Sequence, residues 1–302
     1  MSYLRRLPRF EYLAPHTVDE ACDFLAAHGR NVGLLAGGTD LLLQMRRREA
    51  TPGYVIGLKN VAALAGVRAQ ADGGLAIGAM TTLQELLTSP IVRRSHALLS
   101  EIAALIGGPE LRNAATVGGN VAGGLPCADF PSALMTLGAR LKLASRHGER
   151  TIAIKDFYPE FGKTAAAGDE LLAEISLPAP PPCSGGAYLK FHDRHSMDMT
   201  TVGVSAFVTC DESRGVFREV KIALASSAPV IMRARRAEAA LRGQPLSEEA
   251  LAEAAAIACE ESAPRSSWRA TREFRLQLVN TLTRRAVRRA WEKALATSGA
   301  QA

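Results

Sequence analysis

The sequence predicts an α+β chain of two domains, and three observations predict it. Short apolar runs of strand length alternate with helix-period segments as far as Leu177. A proline cluster, Pro178, Pro180, Pro181 and Pro182, then interrupts every pattern, because proline fixes φ and removes a backbone donor. Beyond it lie strand-like runs followed by helix-period segments, the order of an antiparallel sheet with helices packed on it. Domains are therefore expected at 1–178, with subdomains of about 1–58 and 59–178, and at 179–302. A chain of 302 residues has room for a core in each.

The elements follow in order. Thr17 and Glu20 resemble a capping box ahead of a helix over 17–28, closed by Gly29. Val32 to Ala36 reads as a strand, broken at Gly37-Gly38-Thr39-Asp40 and resuming as a helix from Leu41 to Met45. Tyr54 to Leu58 is a buried strand, Leu75 to Gly78 another, and Thr82 to Leu87 starts a helix. A helix from about His96 to Ile106 ends at Gly107-Gly108, and a glycine-rich segment covers 118–124. Arg140 to Ala144, Thr151 to Ile154 and Leu171 to Leu177 supply strands before the prolines, and Ala187 to Phe191, Val202 to Cys210 and Val220 to Leu224 supply them after. Ser247 caps a helix running to about Glu261, with acids in its first turn. Arg269 to about Leu295 is a long amphipathic helix with Phe274, Leu278 and Leu282 on its apolar stripe.

Composition excludes several classes. Hydrophobic residues at 47% and charged residues at 22% mark a globular chain. No apolar run reaches the roughly 18 residues of a membrane span. The start, Met1 to Pro8, has basic residues but no apolar core behind them, so a cytoplasmic location is expected. The net charge of +6 is spread among interleaved acids with few aromatics, which argues against nucleic-acid binding. Its densest part, Arg284, Arg285, Arg288 and Arg289, lines one face of the last helix. The five cysteines, Cys22, Cys127, Cys183, Cys210 and Cys259, lack the short spacing of a zinc or iron–sulfur site, so any metal centre is expected on another chain.

Two glycine segments carry the chemistry. In Leu35-Ala36-Gly37-Gly38-Thr39-Asp40-Leu41, a strand, paired glycines and a helix start can aim free N–H groups at an anion. In Ala115-Thr116-Val117-Gly118-Gly119-Asn120, followed by Pro126 and Asp129, small residues again permit close backbone approach. A plain connecting turn is the simpler reading of either alone. Neither is a Rossmann or a phosphate-loop fingerprint.

Together, A-G-G-T-D and T-V-G-G-N-x-A-x-x-x-P-x-x-D resemble the two FAD loops of the molybdenum hydroxylase flavoprotein family. That family includes the xanthine dehydrogenase flavin domain, the carbon monoxide dehydrogenase medium subunit and 4-hydroxybenzoyl-CoA reductase. The likeness continues at Glu170 to Pro178 and at Ala225-Ser226-Ser227-Ala228-Pro229, Arg233, Ala234, Glu238, Leu241 and Gly243. It implies a two-part FAD-binding domain of the vanillyl-alcohol-oxidase (PCMH) type, followed by a smaller C-terminal α+β domain. By position, Leu35 to Leu41 would wrap the diphosphate, and Thr116, Gly119 and Asn120 would continue that cradle, with Ala115 and Gly118 beside them. Asp129 would bind the adenosine part, and Leu172 and Ile106 would pack near a ring of the cofactor. Lys190 and Arg194 match basic positions beside the isoalloxazine, where a cation stabilises the reduced flavin.

The implied role is an electron relay with no substrate chemistry of its own. The implied partners are a large subunit with a molybdenum cofactor and a small subunit with two [2Fe–2S] clusters, in a heterotrimer or a dimer of heterotrimers. The acceptor stays open among NAD, quinone and oxygen. The four-cysteine insertion that some relatives carry for a [4Fe–4S] cluster is missing, with only Cys127 in that region. Rival readings are a free-standing FAD oxidoreductase of the alcohol oxidase or enolpyruvyl-sugar reductase type, and a flavin-free scaffold. His192 and His195, three apart, do not make a metal site.

Overall fold

The computed structural model describes residues 6–194, 197–211, 213 and 215–298. Its first lobe holds β1 (Glu11–Leu13), α1 (Val18–His28), β2 (Val32–Leu35), α2 (Leu41–Arg47) and β3 (Tyr54–Gly57). The three strands form a parallel sheet in the order β1-β3-β2. Thr17 caps α1 by accepting from the Glu20 N–H at 3.1 Å, and Gly29 takes positive φ to close it, as expected of a left-handed helix stop.

The second lobe runs through β4 (Val67–Ala69), β5 (Leu75–Gly78), α3 (Leu83–Thr88), α4 (Pro90–Ser95), α5 (Ala97–Ala104) and α6 (Pro109–Ala114). It continues with α7 (Val117–Ala122), α8 (Phe130–Thr136), β6 (Arg140–Ser145), β7 (Gly148–Ala153) and β8 (Leu171–Leu177). Its five strands are antiparallel in the order β4-β5-β8-β6-β7. One sheet face, with Leu75, Ile77, Leu141 and Ile175, packs on Leu86, Leu99, Ile102, Phe130 and Leu134 of the helices to form the central core. The other face offers Ala144, Leu171 and Ala173 to Ala21, Cys22, Leu25 and Ile56 of the first lobe.

The third lobe holds β9 (Ser184–Phe191), β10 (Val202–Asp211), β11 (Val216–Ala225), β12 (Met232–Arg233), α9 (Arg235–Leu241), α10 (Glu248–Glu261) and α11 (Arg272–Ser298). The antiparallel order is β12-β11-β10-β9. The run Val202 to Cys210 is apolar nearly throughout because β10 is covered on both faces. Val204, Ala206 and Val208 face the helices of their own lobe. Phe207 joins the central core, and Ser205 hydrogen-bonds Thr136 of α8 at 3.0 Å. Every residue of α8 is buried, so this helix bolts the second lobe to the third.

The α+β class stands, with mixed helices and two antiparallel sheets. Differences lie at the short elements. The segment from Ser89 forms a separate helix, α4, capped by the Ser89 side chain, ahead of the expected one. Thr116 caps a short helix, α7, where the sequence suggests a loop. On α11 the buried face is Val279, Leu282, Ala286, Val287 and Ala290, whereas Phe274 is 39% exposed and meets Phe191 edge to face at 5.5 Å. Arg284 and Arg288 share Glu248 at the start of α10. No helix among the described residues is long and apolar enough to cross a membrane.

Candidate functional site

The first glycine turn begins where β2 ends at Leu35. Gly38 takes φ of +73°, a region costly for other residues, and the chain enters α2 at Leu41. Among the described residues, the N–H groups of Gly37, Gly38, Thr39, Asp40 and Leu41 have no intramolecular acceptor; the first engaged is that of Leu42, on the Gly38 carbonyl at 3.2 Å. Gly37 to Thr39 and Leu41 are half-buried and Asp40 is exposed, so these five donors, the last of them at a helix start, are open to acceptors from outside the chain, an anion among them.

The second glycine segment is the reverse. Val117 N–H donates to Thr81 at 3.0 Å, Gly118 N–H to Ala79 at 2.9 Å and Asn120 N–H to the Thr116 carbonyl at 3.0 Å. The Gly119 N–H is taken by the Thr116 side chain at 3.1 Å. Gly118 is a packing glycine: a Cβ there would lie 2.5 Å from the Cβ and carbonyl oxygen of Ala79. Gly119 differs, because a Cβ there would meet only Thr116 Oγ1 at 3.0 Å and the Ala36 Cβ at 3.7 Å. It therefore faces the first turn, at Ala36, with room for little more than a methyl group on that side.

The two segments touch through Gly37. A Cβ there would lie 2.1 Å from the Ala114 carbonyl oxygen and 2.8 Å from the Ala115 Cα. Only glycine lets the turn lie on the end of α6 this closely.

Asn120 carries the second segment toward Asp129, its Oδ1 accepting from the Phe130 N–H at 3.3 Å. Asp129 does not cap α8 with its side chain. Its carboxylate, on a residue 7% exposed, points into the third lobe. Oδ1 accepts from the Tyr188 hydroxyl at 2.6 Å and the Thr200 hydroxyl at 2.7 Å. Lys190 Nζ stands 3.3 Å from the same oxygen as a buried ion pair. Asp129 and Lys190, expected at opposite ends of the cofactor, are thus neighbours.

The remaining expected residues scatter more. Leu172 is buried on β8 beside a bulge, where Lys142 pairs with Glu174 but Leu143 with Leu172. The extra residue, Ala173, accepts from the Ala79 N–H at 3.0 Å, placing Leu172 one residue from the strand end that supports Gly118. Bulges of this kind re-aim side chains. Ile106 packs on the central core, its carbonyl accepting from Arg112 at 3.3 Å. Arg194 is exposed in a turn, 3.4 Å from Asp198, and among the described residues nothing links it to Lys190 or Asp129. Burial alone would raise the Asp198 carboxyl, but N–H donors from Arg194, Met199 and Asp193 and the Arg194 charge hold it below its ordinary pKa. His192 bonds the Arg194 carbonyl, and His195 lies outside the described residues. Among those residues no cluster of His, Cys, Asp and Glu could hold a metal ion.

Sequence reasoning missed Tyr188, Thr200 and Gly203. The two-residue period of a strand puts Tyr188 and Lys190 on one face, which was a readable signal. Thr200 and Gly203 depend on the β9–β10 register, which pairs Lys190 with Gly203.

Burial raises the Cys127 thiol pKa, the Asp129 and Asp40 charges add to the rise and Arg269, which reaches Met199 Sδ at 3.2 Å, opposes it. Arg269 stacks over Trp268 at 4.2 Å, Trp268 being 84% exposed, and Arg265 lies over Phe161 at 5.7 Å. The Ser226 N–H donates to the Pro126 carbonyl at 2.8 Å, tying that approach to the third lobe.

Residues 8–180 match the family described as the FAD binding domain in molybdopterin dehydrogenase, and residues 187–290 match the CO dehydrogenase flavoprotein C-terminal domain. A putative xanthine dehydrogenase FAD-binding subunit of Escherichia coli is 34% identical over 282 residues, 92% of this chain and 96% of the relative. The carbon monoxide dehydrogenase medium chain of Hydrogenophaga pseudoflava is 33% identical over 95% of this chain and 98% of its own. Among solved structures, carbon monoxide dehydrogenase from that organism superposes with a TM-score of 0.92 at 34% identity, over 95% of this chain and 99% of the other. Quinoline 2-oxidoreductase from Pseudomonas putida gives 0.89 at 28% identity, over 97% and 99%.

Proposed function

The chain belongs to the FAD-binding family of molybdopterin dehydrogenases, and from that premise we propose that it is the flavin-carrying electron-transfer subunit of a molybdenum hydroxylase complex. It is an oxidoreductase component whose substrate is transformed on another chain. One observation carries the assignment of the site: five successive N–H groups of the first turn are open, and Gly37 holds that turn against the second segment. Such a run of free donors ahead of a helix suits the oxygens of a diphosphate.

In this reading Leu35, Ala36, Gly37, Gly38, Thr39, Asp40 and Leu41 wrap the diphosphate, the backbone donors coming from Gly37 to Leu41. Gly119 gives room opposite, while Thr116 and Ala115 fix its backbone and Gly118 seats it on Ala79. Asn120 has an amide nitrogen to offer. Leu172, on its bulge, and Ile106 would lie toward the rings. Because Asp129 and Lys190 form an ion pair, they serve the same end of the cofactor, and the reading keeps both with the flavin ring. Arg194, exposed and held by Asp198, drops out of the cofactor set. The bound flavin supplies a carrier that takes electrons singly and passes them on singly or in pairs. The chain's part is to bind and orient it, and to set the charge around it.

The partners in this reading are a large molybdenum-cofactor subunit and a small subunit with two [2Fe–2S] clusters, in a heterotrimer or a doubled one. The final acceptor is NAD, a quinone, oxygen or another carrier. The domain limits follow as 1–178 and 179–302, with Pro178 to Pro182 as the link. Purification of the native complex tests the assembly. Co-eluting large and small chains with molybdenum, iron and flavin are expected, whereas a chain isolated alone that oxidises an alcohol unaided would overturn it.

A further inference from the structure

The Asp129 site holds its donors unequally. Oδ1 accepts two short hydrogen bonds, from Tyr188 at 2.6 Å and Thr200 at 2.7 Å. The Lys190 ammonium stands farther off, 3.3 Å from Oδ1 and 3.4 Å from Oδ2. Charge-assisted bonds from an ammonium to a carboxylate normally close to about 2.7–2.9 Å. Lys190 has three N–H donors and a side chain only 3% exposed, yet no other hydrogen-bond partner among the described residues. A buried ammonium so loosely held is costly unless another acceptor completes its shell.

The sheet is built to keep this arrangement. Tyr188 and Lys190 project from the same face of β9, and the residue paired with Lys190 is Gly203. A Cβ at Gly203 would stand 2.6 Å from the Tyr188 hydroxyl and 3.1 Å from the Thr200 methyl. Glycine there leaves room for both hydroxyls to reach one oxygen. Burial and the nearby Asp129 charge push the Tyr188 hydroxyl well above its ordinary pKa, so it remains a donor across the working pH range.

We propose that Tyr188 and Thr200 are positioning residues that hold Asp129 back as a counter-ion, leaving the Lys190 ammonium to donate to the negatively charged edge of a reduced flavin. The two hydroxyls draw charge from the carboxylate oxygen nearest Lys190 and stop the pair from collapsing to a short contact. Without either hydroxyl, Asp129 is more negative and pulls Lys190 toward itself. Both changes disfavour added negative charge nearby, so the reduction potential falls. No bond is made or broken by these residues. The inference rests on the reading above that Lys190 lies beside the flavin ring.

The test is the midpoint potential of the flavin-loaded chain, titrated against a dye of known potential, for wild type, Tyr188→Phe, Thr200→Val and Lys190→Met. Lys190→Met is expected to lower the potential most. Tyr188→Phe and Thr200→Val should each weaken the preference for reduced over oxidised flavin by up to tenfold, about 30 mV for a two-electron couple, with FAD affinity within a few-fold of wild type. If Tyr188→Phe fails to retain flavin, Thr200→Val carries the measurement. Wild-type potentials in both hydroxyl variants, with a lowered one in Lys190→Met, would show the hydroxyls to be a structural latch and overturn the inference. An unchanged potential in Lys190→Met would instead overturn the placement of Lys190, and the inference with it.

Discussion

The two Gly-Gly segments share a dipeptide and divide the work. At 37–41 the backbone donors are open and Gly37 brings the turn onto the end of α6. At 117–120 every N–H is engaged within the chain, Thr116 capping the helix and Gly118 lying flat on Ala79. The first segment offers hydrogen bonds, and the second builds the wall that faces it. Glycine pairs are therefore not equivalent evidence for anion binding. What separates them is whether the N–H groups have partners once the chain has folded.

Substitutions can break that division, beginning with the strongest. Gly37→Val should be the most damaging, because its Cβ would overlap the Ala114 carbonyl, a backbone atom with nowhere to go. Overpacking of this kind costs about 1–3 kcal/mol or more, and here it also parts the two segments. Loss of FAD together with a lowered melting temperature is expected, and a flavin-replete protein would show that the segments need not touch.

Gly119→Leu should separate binding from folding. Its side chain would press on the space beside Ala36, where the nearest atoms to its Cβ are Thr116 Oγ1 and the Ala36 Cβ. FAD affinity should fall by about a hundredfold or more, equivalent to about 2.8 kcal/mol, while the flavin-free chain melts close to wild type. Equal affinity by flavin fluorescence titration would mean that Gly119 is structural.

Gly118→Ala is the complementary case. Its Cβ would press into Ala79, so the flavin-free chain should lose about 1–3 kcal/mol of stability in urea melts. Whatever remains folded should bind FAD within a few-fold of wild type. A large loss of affinity without destabilisation would reverse the roles given to the two neighbouring glycines.

The smallest effects are expected from the hydroxyls. Thr116→Ala removes a helix cap, worth about 1 kcal/mol, and should appear mainly in stability. Thr39→Ala removes at most one donor from a turn whose backbone does the holding, worth about 0.5–1.5 kcal/mol, and should appear only in affinity. Finding each effect in the other assay would contradict the comparison.

Glycine pairs alone could not single out these segments, since the chain has others at 73–74, 107–108, 123–124 and 185–186. What made the two legible was the polar residues beside them, Thr39 and Asp40 in one and Thr116, Asn120 and Asp129 in the other, in a spacing that resembles a known pair of FAD loops. Their division of labour could not. Whether Gly118 faces a cofactor or Ala79 depends on the hydrogen bond to Ala79 and on the bridge between Thr82 and Thr116, contacts between residues far apart in the chain. The same holds at Asp129. Lys190 was visible as a basic residue on a strand, but its partnership with Asp129 needs β9 to pass the residue that precedes α8. Gly203 becomes meaningful only in the register that sets it opposite Lys190. At Arg194 the local contact was the part not legible: Asp198, four residues on, pairs with it within the turn.

The most direct measurement is FAD binding by the purified chain, wild type against Gly119→Leu, followed by flavin fluorescence with thermal melting in parallel. The account predicts one tightly held FAD per wild-type chain and none on the variant, with the flavin-free melting temperatures nearly equal. A folded wild-type chain that stays colourless and shows no affinity for added FAD would contradict it.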